Sequence, residues 1–182
     1  MRAFVALVPP PEAVAELVDA VATVRGDHRG VRWTPPEQWH LTLAFLGEVD
    51  GATLDGVAAG LAAVAARAAP VELALAGAGR FGERVLWTGF VGDTDALAAL
   101  AAGVAAAARA AGVALEDRAF RAHLTLARGR GSVSRLGPAV RALSGFAGRP
   151  WRAETLRLVR SRPGPRYDDL ATWPLAGDLT DR

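Results

Sequence analysis

The stretch WHLTLAFLG, residues 39–47, sets a histidine and a threonine two positions apart in an otherwise apolar run. Eighty-three residues further on the same word returns in FRAHLTLAR, residues 120–128, so two of only three histidines stand in identical HLTL contexts. Length and apolar content make both runs strands. Strand side chains alternate between faces, so His40 and Thr42 share one face while Leu41 and Leu43 anchor the other. His123 and Thr125 stand in the same relation to Leu124 and Leu126. Counting by twos also puts Arg121 on the His123 face. Arg128 falls on the leucine face unless the strand ends or bulges before it.

Outward from these strands, residues 2–8 read as a short buried strand closed by Pro9, Pro10 and Pro11. Val14, Leu17, Val18 and Val21 then follow helical spacing, with Gly26 as a stop. Residues 31–38 read as a connection, because Pro35 and Pro36 oppose regular pairing. Asp50 or Thr53 caps a second helix with Leu54, Val57, Leu61 and Val64 as its apolar stripe, ending at Pro70. Strands are expected at 71–79 and 84–92, joined by a turn at Phe81 and Gly82. Asp93, Thr94 and Asp95 offer caps for a helix carrying Leu97, Leu100 and Val104. A strand at 118–128, a loop at 129–133, a short helix near 135–143 and strands at 151–160 and 166–175 complete the chain. Strands separated by tight turns in some places and helices in others indicate an α+β fold with antiparallel sheets. The two HLTL strands indicate a pseudo-two-fold arrangement, with residues 1–182 forming a single two-lobed domain.

The 182 residues suffice for one domain with a substantial core, although much of the apolar half is alanine. Absence of cysteine excludes disulfides, thiolate metal sites and thiol nucleophiles. All 21 basic residues are arginine, and lysine, asparagine and isoleucine do not occur. Such wholesale replacement reads as coding bias, yet arginine's planar fork of donors suits phosphate oxygens. A formal net charge of +2 gives little long-range attraction for a polyanion. MRAFVALV meets the prolines before it completes a signal segment, and the uncharged run at 96–108 is too short to span a bilayer. A cytoplasmic monomer with no membrane partner is the expectation.

Two HLTL faces across a cleft would supply two imidazoles and two hydroxyls. One histidine can accept a proton from a nucleophile while the other gives one to a leaving oxygen, since an unperturbed pKa of about 6.5 suits both tasks. Threonine hydroxyls can donate to non-bridging phosphate oxygens, and a nearby arginine can neutralise developing charge. In-line displacement at a phosphodiester uses this set without a metal. One such motif alone is explained by packing, because threonine is a common strand former. Two copies holding two of three histidines are not. His28, in RGDHRGVR, has no such context and reads as a solvated loop residue. A two-histidine zinc site finds no HxxxH, HExxH or cysteine spacing to support it. GAGRFG and ARGRGS lack the strand–loop–helix order of a phosphate or dinucleotide loop and read as turns, so no cofactor is expected.

Together RWTPPEQWHLTLAFLGEV, RFGERVLWTGF, FRAHLTLAR and SRPGPRYDDLATWPL resemble the 2H phosphoesterases over nearly the whole chain. The likeness is to the bacterial and archaeal RNA 2′,3′-cyclic phosphodiesterases, historically called 2′-5′ RNA ligases. That resemblance implies a two-lobed α+β fold with antiparallel sheets around a central cleft and helices outside. It implies catalytic roles for His40, as proton donor, and His123, as proton acceptor. Thr42 and Thr125 would hold the phosphate, joined by Arg128 if its strand bulges. The implied partner is RNA with a 2′,3′-cyclic phosphate end, or a cyclic nucleotide, opened by water to a 2′-phosphate with neither metal nor cofactor. Reversible 2′-5′ end joining, action on another small cyclic phosphate, and non-catalytic binding of RNA 3′ ends stay open as alternatives. Trp33, Phe45, Phe81 and Trp87 are candidates for base stacking, with Phe45 and Trp87 weighed as core. Ala122 and Ala44 depart from the commoner family pattern of proline and a basic residue at those places.

Overall fold

A computed structural model describes residues 1–27, 30–130, 134–164 and 166–178. His28 and residues 131–133 of the expected loop lie outside the described residues. The order of elements is β1 (Arg2–Leu7), α1 (Pro11–Ala22), β2 (Val31–Trp33), β3 (Leu41–Glu48), α2 (Gly51–Arg67), β4 (Val71–Phe81) and β5 (Val85–Gly92). Then come α3 (Thr94–Ala110), β6 (Leu124–Gly129), α4 (Gly137–Leu143), β7 (Trp151–Ala153), β8 (Thr155–Arg162) and β9 (Arg166–Pro174). Two antiparallel sheets result, one ordered β3-β1-β8-β9 and the other β2-β6-β5-β4-β7.

Each helix follows from its ends and its apolar stripe. Pro11 opens α1 at the first helical position, where a missing N–H costs nothing. The Asp50 carboxylate accepts from the Thr53 N–H at 2.7 Å to start α2, and Asp93 accepts from Ala96 at 3.1 Å to start α3. Val57 and Leu61 are buried as expected, but Ala65 completes the stripe while Leu54 and Val64 are only partly buried. Alanine richness lets α2 and α3 pack closely. A Cβ on Gly60 would stand 2.9 Å from that of Ala107, so a side chain there forces the helices apart. One apolar core takes residues from both sheets and all four helices. No helix among the described residues is long and apolar enough to cross a membrane.

Three sequence expectations change. The segment expected as a connection contains β2, which pairs with β6 through Trp33 and Ala127; the prolines interrupt pairing only after it. The strand expected over 118–128 begins at Leu124, because Thr88–Leu124 is where its pairing with β5 ends. The single strand expected over 151–160 is two. Trp151–Ala153 borders β4 in one sheet, and after Glu154 the chain enters the other sheet as β8 beside β1. A change of sheet leaves no mark in an apolar pattern.

Candidate active site

The two halves are built alike around the repeated word. In the first, β1 pairs with β3 through Phe4–Phe45, Val5–Ala44, Ala6–Thr42 and Leu7–Leu41. In the second, β5 pairs with β6 through Val85–Arg128, Leu86–Ala127, Trp87–Thr125 and Thr88–Leu124. Each ladder skips the second leucine of HLTL, Leu43 or Leu126, so both strands bulge at the same place. The bulge inserts one extra buried residue: Leu43 and Ala44 are both buried, as are Leu126 and Ala127. Beyond it the faces exchange. Phe45 and Arg128, which strict alternation assigns to the leucine face, therefore turn to the histidine–threonine face, and both are exposed.

Each histidine precedes its strand by one residue and is held by the backbone behind it. His40 Nδ1 lies 2.7 Å from the Gln38 carbonyl oxygen, and His123 Nδ1 lies 2.7 Å from that of Arg121. A carbonyl only accepts, so Nδ1 carries the proton in both rings, and Nε2 is the nitrogen left for proton transfer. The two motifs approach closely enough that the charges of His123 and Arg128 act on His40. Burial, the largest influence, holds His40 below the ordinary histidine value of 6.5. The Gln38 hydrogen bond opposes that shift, while His123 and Arg128 add to it. The structure thus brings His40, His123 and Arg128 together, with Thr42 and Thr125 half-buried one step along each strand.

The surroundings of the two imidazoles differ. His40 stacks on Phe4 at 4.7 Å between centroids and meets Tyr167 edge-on at 5.3 Å. His123 meets Phe81 edge-on at 4.9 Å and Trp87 at 6.4 Å, with the Arg121 guanidinium 5.2 Å above Phe81. Phe45, weighed as core from sequence, is 66% exposed. Trp33 and Trp87 are half-buried. The Trp87 ring lies over Gly79, where a Cβ would displace it. Ala6 and Trp87 hold equivalent register positions, opposite Thr42 and Thr125. Where the first half has only a methyl group, a cavity of about 220 Å³ opens beside His40. Phe4, Ala6, Arg157, Tyr167 and Asp169 help to line it.

Sequence reading missed Phe4, Tyr167, Arg157 and Asp169. Alternation in β1 sets Phe4 and Ala6 opposite the core residues Ala3, Val5 and Leu7, which is a usable signal for Phe4. For the others no local signal exists, since β8 and β9 reach His40 only by pairing with β1. Among the described residues no group of three or more histidine, cysteine, aspartate or glutamate side chains is placed to hold a metal ion.

The family model "LigT like Phosphoesterase" matches residues 8–87 and 91–167, two stretches that each contain one HLTL motif. A Geobacillus stearothermophilus protein named RNA 2′,3′-cyclic phosphodiesterase is 37% identical over 152 residues, covering 80% of this chain; the chain spans about half, 48%, of that relative's length. A Thermus thermophilus protein of the same name is 33% identical over 190 residues, covering 98% of this chain and 92% of the relative. A crystal structure of a protein from Thermus thermophilus superposes with a TM-score of 0.81 at 32% identity, covering 98% of this chain and 100% of that one.

Proposed function

The chain belongs to the LigT-like phosphoesterase family, and from that premise we propose that it opens 2′,3′-cyclic phosphates on RNA ends or nucleotides to 2′-phosphates, by two-histidine acid–base catalysis without a metal. The observation that carries this reading is the pair of imidazoles, each with Nδ1 tied to a carbonyl two residues upstream and each with Nε2 left free. His123 takes a proton from water as the water oxygen attacks phosphorus. The P–O3′ bond breaks, and His40 gives its proton to the departing 3′ oxygen. Thr42 and Thr125 hydrogen-bond the non-bridging oxygens, and Arg128 offsets the charge that grows on them.

Burial holds His40 below the ordinary histidine value, so the acid role calls on the substrate to favour the protonated ring. In the free protein burial, His123 and Arg128 all disfavour the imidazolium. A phosphate anion docked among these groups counters the two positive charges and favours the protonated ring. Both proton transfers are then supplied by side chains, which is why no metal enters.

Incubation with 2′,3′-cyclic AMP, with and without EDTA, tests the reading. The expected product is the 2′-monophosphate at an unchanged rate in EDTA. Binding without turnover would make the protein a binder of RNA ends, and loss of turnover in EDTA would reject the metal-free mechanism.

A further inference from the structure

On the reading just given, the ribose that keeps the departing 3′ oxygen lies on the His40 side of phosphorus, and its base must find a place there. The cavity beside His40 lies on that side. At the equivalent position by His123, Trp87 occupies the space that Ala6 leaves open. Phe4 and Tyr167 give the cavity aromatic walls, set edge to face at 5.1 Å. At its margin Arg157 on β8 and Asp169 on β9 form an ion pair, Nη1 to Oδ2 at 2.6 Å. The neighbouring pairs, Arg160–Asp168 and Arg162–Asp168, involve residues that do not line the cavity.

The Arg157–Asp169 pair leaves hydrogen-bonding capacity over. Asp169 takes only Nη1 of Arg157, which leaves the Nη2 donors of a side chain that is 34% exposed, and a carboxylate bound through one oxygen retains further lone pairs. Their mutual bond holds a fork of donors directly beside a fork of acceptors. Guanine alone among the four RNA bases presents two adjacent acceptors, N7 and O6 on its Hoogsteen edge, followed around its perimeter by two adjacent donors, N1–H and the N2 amine on its Watson–Crick edge. Adenine, cytosine and uracil each offer a shorter alternation and leave part of the pair unmatched. Single-stranded bases are recognised by this combination of stacking and edge contacts. We propose that the cavity is a base pocket in which Arg157 and Asp169 select guanine at the nucleotide carrying the cyclic phosphate.

The test compares kcat/KM for 2′,3′-cyclic GMP, AMP, CMP and UMP. A preference for guanine of about tenfold or more is expected, as one well-placed bidentate contact provides. Asp169→Asn replaces an acceptor facing guanine's donors with a donor and is expected to abolish the preference. Arg162→Gln, at the pair outside the cavity, leaves the preference intact. Equal turnover of all four nucleotides, or a guanine preference that survives in Asp169→Asn, overturns the inference without touching the proposed reaction. If none of the four is turned over, it is the proposed reaction that fails. Calorimetric titration with 2′-GMP against 2′-AMP then decides the pocket separately: tighter GMP binding sustains it, and equal binding overturns it.

Discussion

His40 and His123 occupy equivalent positions on equivalent strands, yet their settings diverge. The first imidazole stacks on Phe4, meets Tyr167 edge-on and is pushed toward its neutral form, beside a cavity left by Ala6. The second stands at a more open rim with Phe81, Trp87 and Arg121 around it. Past the shared bulge, one strand presents Phe45 and the other Arg128. Duplication of a four-residue word therefore yields two chemically distinct half-sites. On the proposed reaction the first, part-buried beside the cavity, takes the nucleoside and its leaving oxygen. The other is open to water and adjoins the arginine.

The largest effect expected on this comparison is loss of either imidazole. His40→Ala and His123→Ala should each lower kcat on a cyclic nucleotide by about 10²–10⁴-fold, the range for general acid–base catalysis. A phosphodiester with a p-nitrophenolate leaving group separates the two, because that group departs without a proton. His40→Ala should recover most of its activity on such a substrate and His123→Ala should not. Equal deficits on both substrates would break the assignment of acid and base.

Exchange at the post-bulge positions comes next. Arg128→Gln is expected to cost about 10²-fold in kcat, as removal of a charge-stabilising donor does. Phe45→Ala, which removes no charge, should cost far less. A comparable loss from both would show that the bulge sets shape and not charge.

The smallest effect is a displacement on the pH axis. As an acid His40 must be protonated, and its pKa in the free protein is lowered. The alkaline limb of kcat/KM, which reports the free protein, should therefore lie below the ordinary histidine value of about 6.5. The limb of kcat, reporting the bound state, should lie higher. In Arg128→Gln one positive charge is gone, so the kcat/KM limb should move upward. A limb unmoved by that substitution would show that Arg128 does not act on His40.

Much of the molecule was legible in its residues. Leu41 and Leu124 are fully buried, as alternation requires, with His40 and His123 beside them on the opposite face. The helix caps at Asp50 and Asp93 are used as expected, because a carboxylate before an apolar helical stripe satisfies free N–H groups locally. The strand at Val31–Trp33 and the switch of sheets at Glu154 were not legible. Both depend on which distant strand offers a free edge. Phe45 was weighed as core because an aromatic in an apolar run normally is, and only the bulge turns it outward.

The sequence by itself determined the antiparallel α+β character, the anchoring leucines and the pairing of each histidine with a threonine. These follow from a period of two and from side-chain chemistry, which act within a few residues. Tertiary structure decided that Arg128 joins the histidine face, that His40 is desolvated, and that Tyr167, Arg157 and Asp169 stand beside it. Bulges, strand order and burial depend on contacts between residues far apart in the chain, here β1 with both β3 and β8. Local periodicity therefore does not specify them.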